Sequence, residues 1–219
     1  MKFDYRNIDC MVGMAEYPDK YFDLAIVDPP FGINITKIWG KAEFGYKEWE
    51  KKEWDISVPL NDYFEMLFIK SKNQIIWGGN YFPLPPSQCW IIWDKGQRDF
   101  TLADGEMAWT SFNNSLRIFE YSRALANKQF RIHPTQKPIA LYKWLLTNYA
   151  KQGDKILDTH VGSASSIIAC LDLGFEVTGF ELDADYYKAS MERINKYLSE
   201  PKLFKPEEIP TKQENNLFE

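Results

Sequence analysis

The chain has 219 residues, enough for one α/β domain with a real core and too few for two large ones. Its formal net charge of −5 leaves any phosphate contacts to local basic clusters. There is no apolar run of membrane-spanning length and no signal pattern in Met1-Lys2-Phe3-Asp4-Tyr5. Two histidines rule out a His-rich zinc site, so no metal is expected, and three scattered cysteines point to reduced thiols and a cytoplasmic setting without membrane contact.

Strand-like runs alternate with helix-like stretches along the chain. Strands are predicted at Tyr5–Ile8, Leu24–Val27, Gln74–Trp77, Trp90–Trp93, Met107–Thr110, Ile156–Asp158 and Val177–Phe180. Helices are predicted at Leu60–Lys72, Pro138–Tyr149, Ser165–Leu173 and Ala184–Leu198. The alternation implies an α/β fold: a Rossmann-like, doubly wound, mostly parallel sheet of seven strands. Between them, residues 33–58 are rich in Lys, Glu, Trp and Tyr and show no sustained period, which reads as a mobile substrate loop. Residues 112–131 form a short polar segment, and residues 199–219 a charged tail.

Two stretches carry chemistry. The first is Asp28-Pro29-Pro30-Phe31, directly after the apolar run Leu24–Val27. Two prolines cannot continue a central strand, so the strand ends at Asp28, and the carboxyl end of a strand is where open α/β sheets bind ligands. The corner can aim the Asp28 carboxylate and the Pro29 carbonyl at one target while Phe31 offers its face, an arrangement suited to a planar group bearing an NH2. The same tetrapeptide also suits an ordinary proline turn with a solvated aspartate.

The second stretch runs from Asp158 through Thr159, His160, Val161, Gly162, Ser163 and Ala164 to Ser165, a strand entering a small-residue turn before an apolar helix. Glu181 then closes the next strand. Small residues let a ligand approach the backbone, and an acid at the next strand end accepts from ribose hydroxyls. Without G-x-G-x-x-G or a Walker lysine, a nucleoside lacking pyrophosphate fits best, and S-adenosylmethionine is one.

Taken together, these residues resemble the S-adenosylmethionine-dependent amino-methyltransferases of DNA in their permuted β group, where the Asp-Pro-Pro-aromatic motif precedes the cofactor loop. His133-Pro134-Thr135-Gln136-Lys137-Pro138 is similar to the family segment beside the methionine part of the cofactor. Asn7-Ile8-Asp9-Cys10 is similar to the segment that meets its adenine, and Glu181-Leu182 with Asp183, Tyr186 and Tyr187 to the ribose-binding strand end. The resemblance implies a circularly permuted methyltransferase sheet. Asp28, Pro29, Pro30 and Phe31 would be catalytic. The cofactor would be held by Asp9, Cys10, Asp28, His133, Thr135, Lys137, Asp158, His160, Gly162, Ser163, Ala164, Ser165, Glu181 and Leu182. DNA would be held by Lys37, Trp39, Lys41 and Lys47 in the loop and by Arg117, Arg123 and Arg131 in the 112–131 segment, which would serve as a short target-recognition element.

The implied reaction is methylation of N6 of a flipped-out adenine in DNA, in a restriction-modification setting. N4-cytosine methylation and a non-catalytic DNA-binding relative are the alternatives. In the resembled group, dimerisation is common and serine often replaces the aspartate in the cytosine branch. The cofactor loop departs from the family pattern at Ala164, where a second glycine is usual, and at His160, where an aromatic is usual. The extra methyl of Ala164 is expected to crowd the loop slightly while His160 can still stack or hydrogen-bond, so cofactor binding is expected to be weaker or altered rather than lost.

Overall fold

The computed structural model describes residues 3–34, 52, 54–98, 103–127 and 131–200. Its elements are β1 (Phe3–Asn7), α1 (Cys10–Ala15), β2 (Phe22–Val27), α2 (Asn61–Lys70), β3 (Ser71–Trp77), β4 (Ile91–Asp94), β5 (Gly105–Thr110), β6 (Arg117–Glu120), α3 (Arg123–Asn127), α4 (Ile139–Tyr149), β7 (Lys155–Asp158), α5 (Ser165–Leu173), β8 (Glu176–Glu181) and α6 (Ala184–Ser199). The strands form one sheet in the order β1-β8-β7-β2-β3-β5-β4-β6. All neighbours are parallel except the two pairs that β5 makes, with β3 and with β4.

The expected seven strands are eight among the described residues. The addition is β6, which lies at the sheet edge alongside β4. Its residues Arg117, Ile118 and Glu120 are exposed, so it carries no buried apolar face for a sequence pattern to reveal. Two short helices, α1 and α3, were not expected either, being too short to show a helical period.

Leu24–Val27 of β2 and Ile75–Trp77 of β3 read as continuous apolar runs because both faces of the sheet are covered there. On one face, Leu24, Ile26, Ile75, Trp77 and Ile156 meet Leu141, Leu145, Ile167, Ile168 and Ile194 of α4, α5 and α6. On the other, Ala25, Val27, Ile76 and Leu157 meet Met14 of α1 and Tyr63, Phe64 and Leu67 of α2. Trp77, Phe22, Phe175 and Phe180 are fully buried. Such burial contributes ~1.5–3 kcal/mol per large apolar side chain and fixes the strand ends that carry the site.

In the chain, β2 comes first and β7 much later, yet the two are neighbours in the sheet. This places Asp28, just past β2, close to the turn that follows β7. Residues 35–51 and 53 of the expected substrate loop, with Lys37, Trp39, Lys41 and Lys47, lie outside the described residues, as does the tail from 201 onward. Among the described residues no helix is long and apolar enough to cross a membrane.

Candidate active site

The proline corner is held from two sides. The Asp55 carboxylate accepts the backbone N–H groups of Phe31 (2.8 Å) and Gly32 (2.9 Å), and its carbonyl accepts that of Asn34 (2.8 Å). Behind the corner, Gly78 has φ +70°, and a side chain there would meet the Phe31 ring at 2.1 Å. A glycine is therefore required both for the backbone and for the ring. Phe31 lines the larger cavity with one face covered within the protein. It stacks on Tyr81 with centroids 5.1 Å apart and planes 11° from parallel, and Phe82 lies edge-on at 6.2 Å. Tyr81 is the exposed ring of the stack.

Lys137 is buried and places its ammonium 2.5 Å from Asp28 Oδ2 and 3.0 Å from Glu106 Oε2. Lys95 completes the group at 2.7 Å from Glu106 Oε1. The other Asp28 oxygen, Oδ1, is buried and has no hydrogen-bond partner. Burial raises the proton affinity of Asp28, and Lys137 only partly offsets it. Burial acts on Glu106 in the same sense, but Lys137 and Lys95 outweigh it and hold the carboxyl at about 2.

Two cavities meet at Asp28. The larger, about 530 Å³, is lined by the Asp28–Phe31 corner, Asn80, Tyr81, Glu106, Lys95, Arg123 and Arg131. The smaller, about 350 Å³, is lined by Asp9, Cys10, Thr135, His160, Gly162, Ser163, Glu181 and Leu182, among others. Asp28, Pro30, Trp54, Thr135, Gln136 and Lys137 line both. Strands separated by more than a hundred residues of chain thus bring a nucleoside-sized pocket and an aromatic-walled pocket to one carboxylate.

Of the residues expected around the cofactor, Asp158, Ala164 and Ser165 do not line the smaller cavity; they lie behind its wall. Asp158 accepts the His160 N–H (3.0 Å) and the Ser166 hydroxyl (2.5 Å), and burial pushes it up to about 7. It shapes the turn from inside. Ser165 binds Ser163 and the Arg193 guanidinium. Ala164 is fully buried, with φ +61°, and its methyl joins the apolar core. The methyl packs in the core and does not line the smaller cavity, and the departure from glycine shows as a left-handed backbone.

Glu181 ties the pocket floor together. Its carboxylate accepts the N–H groups of Gly162 (2.8 Å) and Asp183 (2.9 Å), and each oxygen keeps a lone pair for a hydroxyl. His133 is buried between Trp54 and Tyr186, with ring centroids at 5.1 and 4.3 Å, and its Nδ1 accepts the Thr135 N–H. Burial lowers it to about 3, so it is a neutral turn anchor. His160 Nδ1 pairs with the Thr159 hydroxyl at 2.9 Å, and burial lowers this histidine to about 4. Arg123 and Arg131 face the larger cavity, whereas Arg117 lies exposed on edge strand β6 and lines neither. Sequence reasoning missed Glu106, Lys95, Asp55 and Gly78. The available signal was a lone acid in an otherwise apolar strand at Glu106.

The model of the DNA methylase family (N6_N4_Mtase) matches residues 34–192. The chain belongs to this family. The family match begins just past the Asp28–Phe31 corner and contains the cofactor-side turn. Type II methyltransferase M.HpaI of Haemophilus parainfluenzae is 32% identical over 83 residues, which cover 37% of this chain and 26% of that protein, so the likeness spans about a quarter of the relative. Putative methylase YubD of Escherichia coli K12 is 24% identical over 206 residues, 85% of this chain and 87% of YubD. Among solved structures, the M1.HpyAVI–SAM complex superposes with a TM-score of 0.58 at 18% identity, covering 87% of this chain and 99% of that one. PvuII DNA methyltransferase (cytosine-N4-specific) superposes at 0.56 with 14% identity, covering 90% and 91%. The two share the fold of this chain.

Proposed function

We propose that this protein transfers a methyl group from S-adenosylmethionine to N6 of an adenine flipped out of DNA. The observation that carries the reading is the meeting of the two cavities at Asp28, where one buried carboxylate oxygen, Oδ1, has no partner. A buried acceptor left unsatisfied is costly unless a ligand supplies the donor, and an exocyclic amine is such a donor.

The smaller cavity suits S-adenosylmethionine. Glu181 has lone pairs for ribose hydroxyls, Gly162 and Ser163 leave the backbone open, and Asp9, Cys10 and Leu182 form the end where an adenine would sit. When bound, that molecule supplies an electrophilic methyl on a sulfonium. The larger cavity suits a base extruded from the duplex, since an amine inside the stack is out of reach.

The chain's own residues act on the amine. Its lone pair is delocalised into the ring and makes it a poor nucleophile. Asp28 Oδ1 accepts one amino hydrogen and the Pro29 carbonyl the other, which draws the nitrogen toward tetrahedral geometry and exposes the lone pair. The proton that the alkylated nitrogen must lose would pass to the Asp28 carboxylate and from there to solvent. Asp55 and Gly78 hold the corner in place for this. Most of the acceleration then comes from positioning and electrostatics, without a covalent nucleophile. Tyr81, stacked on Phe31, walls the base side, and stacking of this kind contributes ~1–3 kcal/mol per base. Arg123 and Arg131 line the same cavity and would supply positive charge to the DNA phosphates beside the extruded base.

An aspartate at the first position of the corner, rather than serine, supports adenine over cytosine. The test is to methylate duplex DNA, digest it to nucleosides and weigh them. N6-methyladenine supports the reading. N4-methylcytosine would move the protein to the cytosine branch, and the absence of any methylated nucleoside would refute the transfer activity.

A further inference from the structure

Asp28 is the first member of a row of four charges. Lys137 reaches it from just before α4, Glu106 comes from β5, and Lys95 follows β4. The signs alternate, so the row is neutral as a whole. Glu106 is set rigidly: its strand pairs with β4 opposite Trp93, and the Lys95 N–H binds the Asp104 carbonyl at 2.9 Å. The ammoniums also lie near aromatic rings, Lys95 at 5.1 Å from the Trp93 centroid and Lys137 at 5.2 Å from that of Trp77. All four charged side chains line the larger cavity.

We propose that Glu106, steadied by Lys95, is a positioning residue for methyl transfer: it draws Lys137 to the Oδ2 side of Asp28 and so keeps Oδ1 open for the target amine. This rests on the methyltransferase reading above. Lys137 divides its donors between two carboxylates, at 2.5 Å from Asp28 Oδ2 and 3.0 Å from Glu106 Oε2. Without the Glu106 charge, no second carboxylate draws the ammonium to one side, and it can bridge both Asp28 oxygens. The acceptor that the amine needs is then capped. Without Lys95, Glu106 keeps a single cation and pulls Lys137 away from Asp28.

The two changes move Asp28 in opposite directions. The groups that face it are Lys137, Glu106 on β5, Asp55 in the loop after β2, Asp158 at the end of β7, and the phenols of Tyr63 on α2 and Tyr142 on α4. The three acids raise its proton affinity and Lys137 lowers it. Neutralising Glu106 removes one acid and tightens Lys137, so the acid limb of the rate profile moves to lower pH. Neutralising Lys95 removes a cation and loosens Lys137, so the limb moves to higher pH.

The experiment measures single-turnover methyl transfer to duplex DNA against pH for the full chain and for E106Q, E106D and K95M. Cofactor affinity is measured by calorimetry and folding by thermal melting. The expected result is a rate for E106Q about tenfold or more below wild type with cofactor Kd within about twofold, the scale of a lost positioning contact. E106D should recover part of the rate, and the acid limbs of E106Q and K95M should move apart. A wild-type rate and an unmoved limb in E106Q overturn the proposal. So do limbs moving in the same direction, or cofactor affinity lost in step with rate, which would mark a structural role. Should E106Q melt below the assay temperature, E106D and K95M carry the same test. A wild-type protein that methylates no DNA removes the functional reading and this inference with it, whereas an active wild type with indifferent variants removes the inference alone.

Discussion

The Lys137 ammonium lies 2.5 Å from the Asp28 carboxylate across 109 residues of chain. The contact joins the segment entering α4 to the corner that ends β2, and it stands where the two cavities meet. It leaves one carboxylate oxygen paired and the other open, and several expectations follow from that asymmetry.

The rate should fall in acid at a higher pH than an ordinary aspartate would cause. Asp28 acts as an acceptor in its ionised form, and burial has raised its proton affinity. The sign is therefore that activity is present above the raised value and is lost as pH falls through it. Replacing Lys137 with Met removes the opposing cation, so the acid limb of kcat/KM should move further up. A limb that stays in place or moves down would contradict the electrostatic role of Lys137.

Gly78→Ala should damage catalysis without touching cofactor binding. The new methyl would meet the Phe31 ring at 2.1 Å, on backbone with φ +70°. Either the ring moves or the backbone does, and both disturb the corner. The expected outcome is destabilisation by about 1–3 kcal/mol, from overpacking and left-handed strain, with a lower kcat. Cofactor Kd by calorimetry should hold. Intact turnover on DNA would mean that the position of Phe31 does not matter.

Glu181→Ala should weaken cofactor binding by about 10- to 100-fold, the range for losing a hydrogen bond to a charged group. The carboxylate both awaits the ribose and ties Gly162 to Asp183. Titration calorimetry reads this directly, and an unchanged Kd would remove Glu181 from the cofactor site.

Ala164→Gly should leave cofactor affinity alone. The methyl lies in the core, and only the backbone conformation is strained. Relief of left-handed strain is worth ~1–2 kcal/mol. Loss of the buried methyl costs ~0.8 kcal/mol, so the melting temperature should change little. Tighter cofactor binding in the glycine variant would show that the methyl does reach the ligand.

The fold and the two strand-end motifs were legible in the sequence for one reason: each is a contiguous stretch in which an apolar strand meets a distinctive turn. Leu24–Val27 before the double proline and Ile156–Asp158 before the small-residue turn both give that signal. Lys137 and Asp28 came from the resemblance, but Glu106 and Lys95 did not. Glu106 meets Lys137 and Lys95 meets Glu106 through sheet register, and each charge stands at the end of a short apolar run, where it reads as solvent-facing. Edge strand β6 was hidden for a similar reason, since most of its side chains are exposed. The direction of the Ala164 methyl follows from a positive φ, which no composition or spacing reveals.

The most direct measurement is single-turnover methyl transfer to duplex DNA by Asp28→Asn beside wild type, with cofactor affinity taken on the same samples. The variant keeps the size of the side chain and the shape of the corner but loses the carboxylate charge. The acceptor role of the Asp28 carboxylate implies a cofactor Kd near the wild-type value and a transfer rate lower by about 100-fold or more, the scale of losing a preorganised electrostatic contact. Transfer at close to the wild-type rate would contradict it.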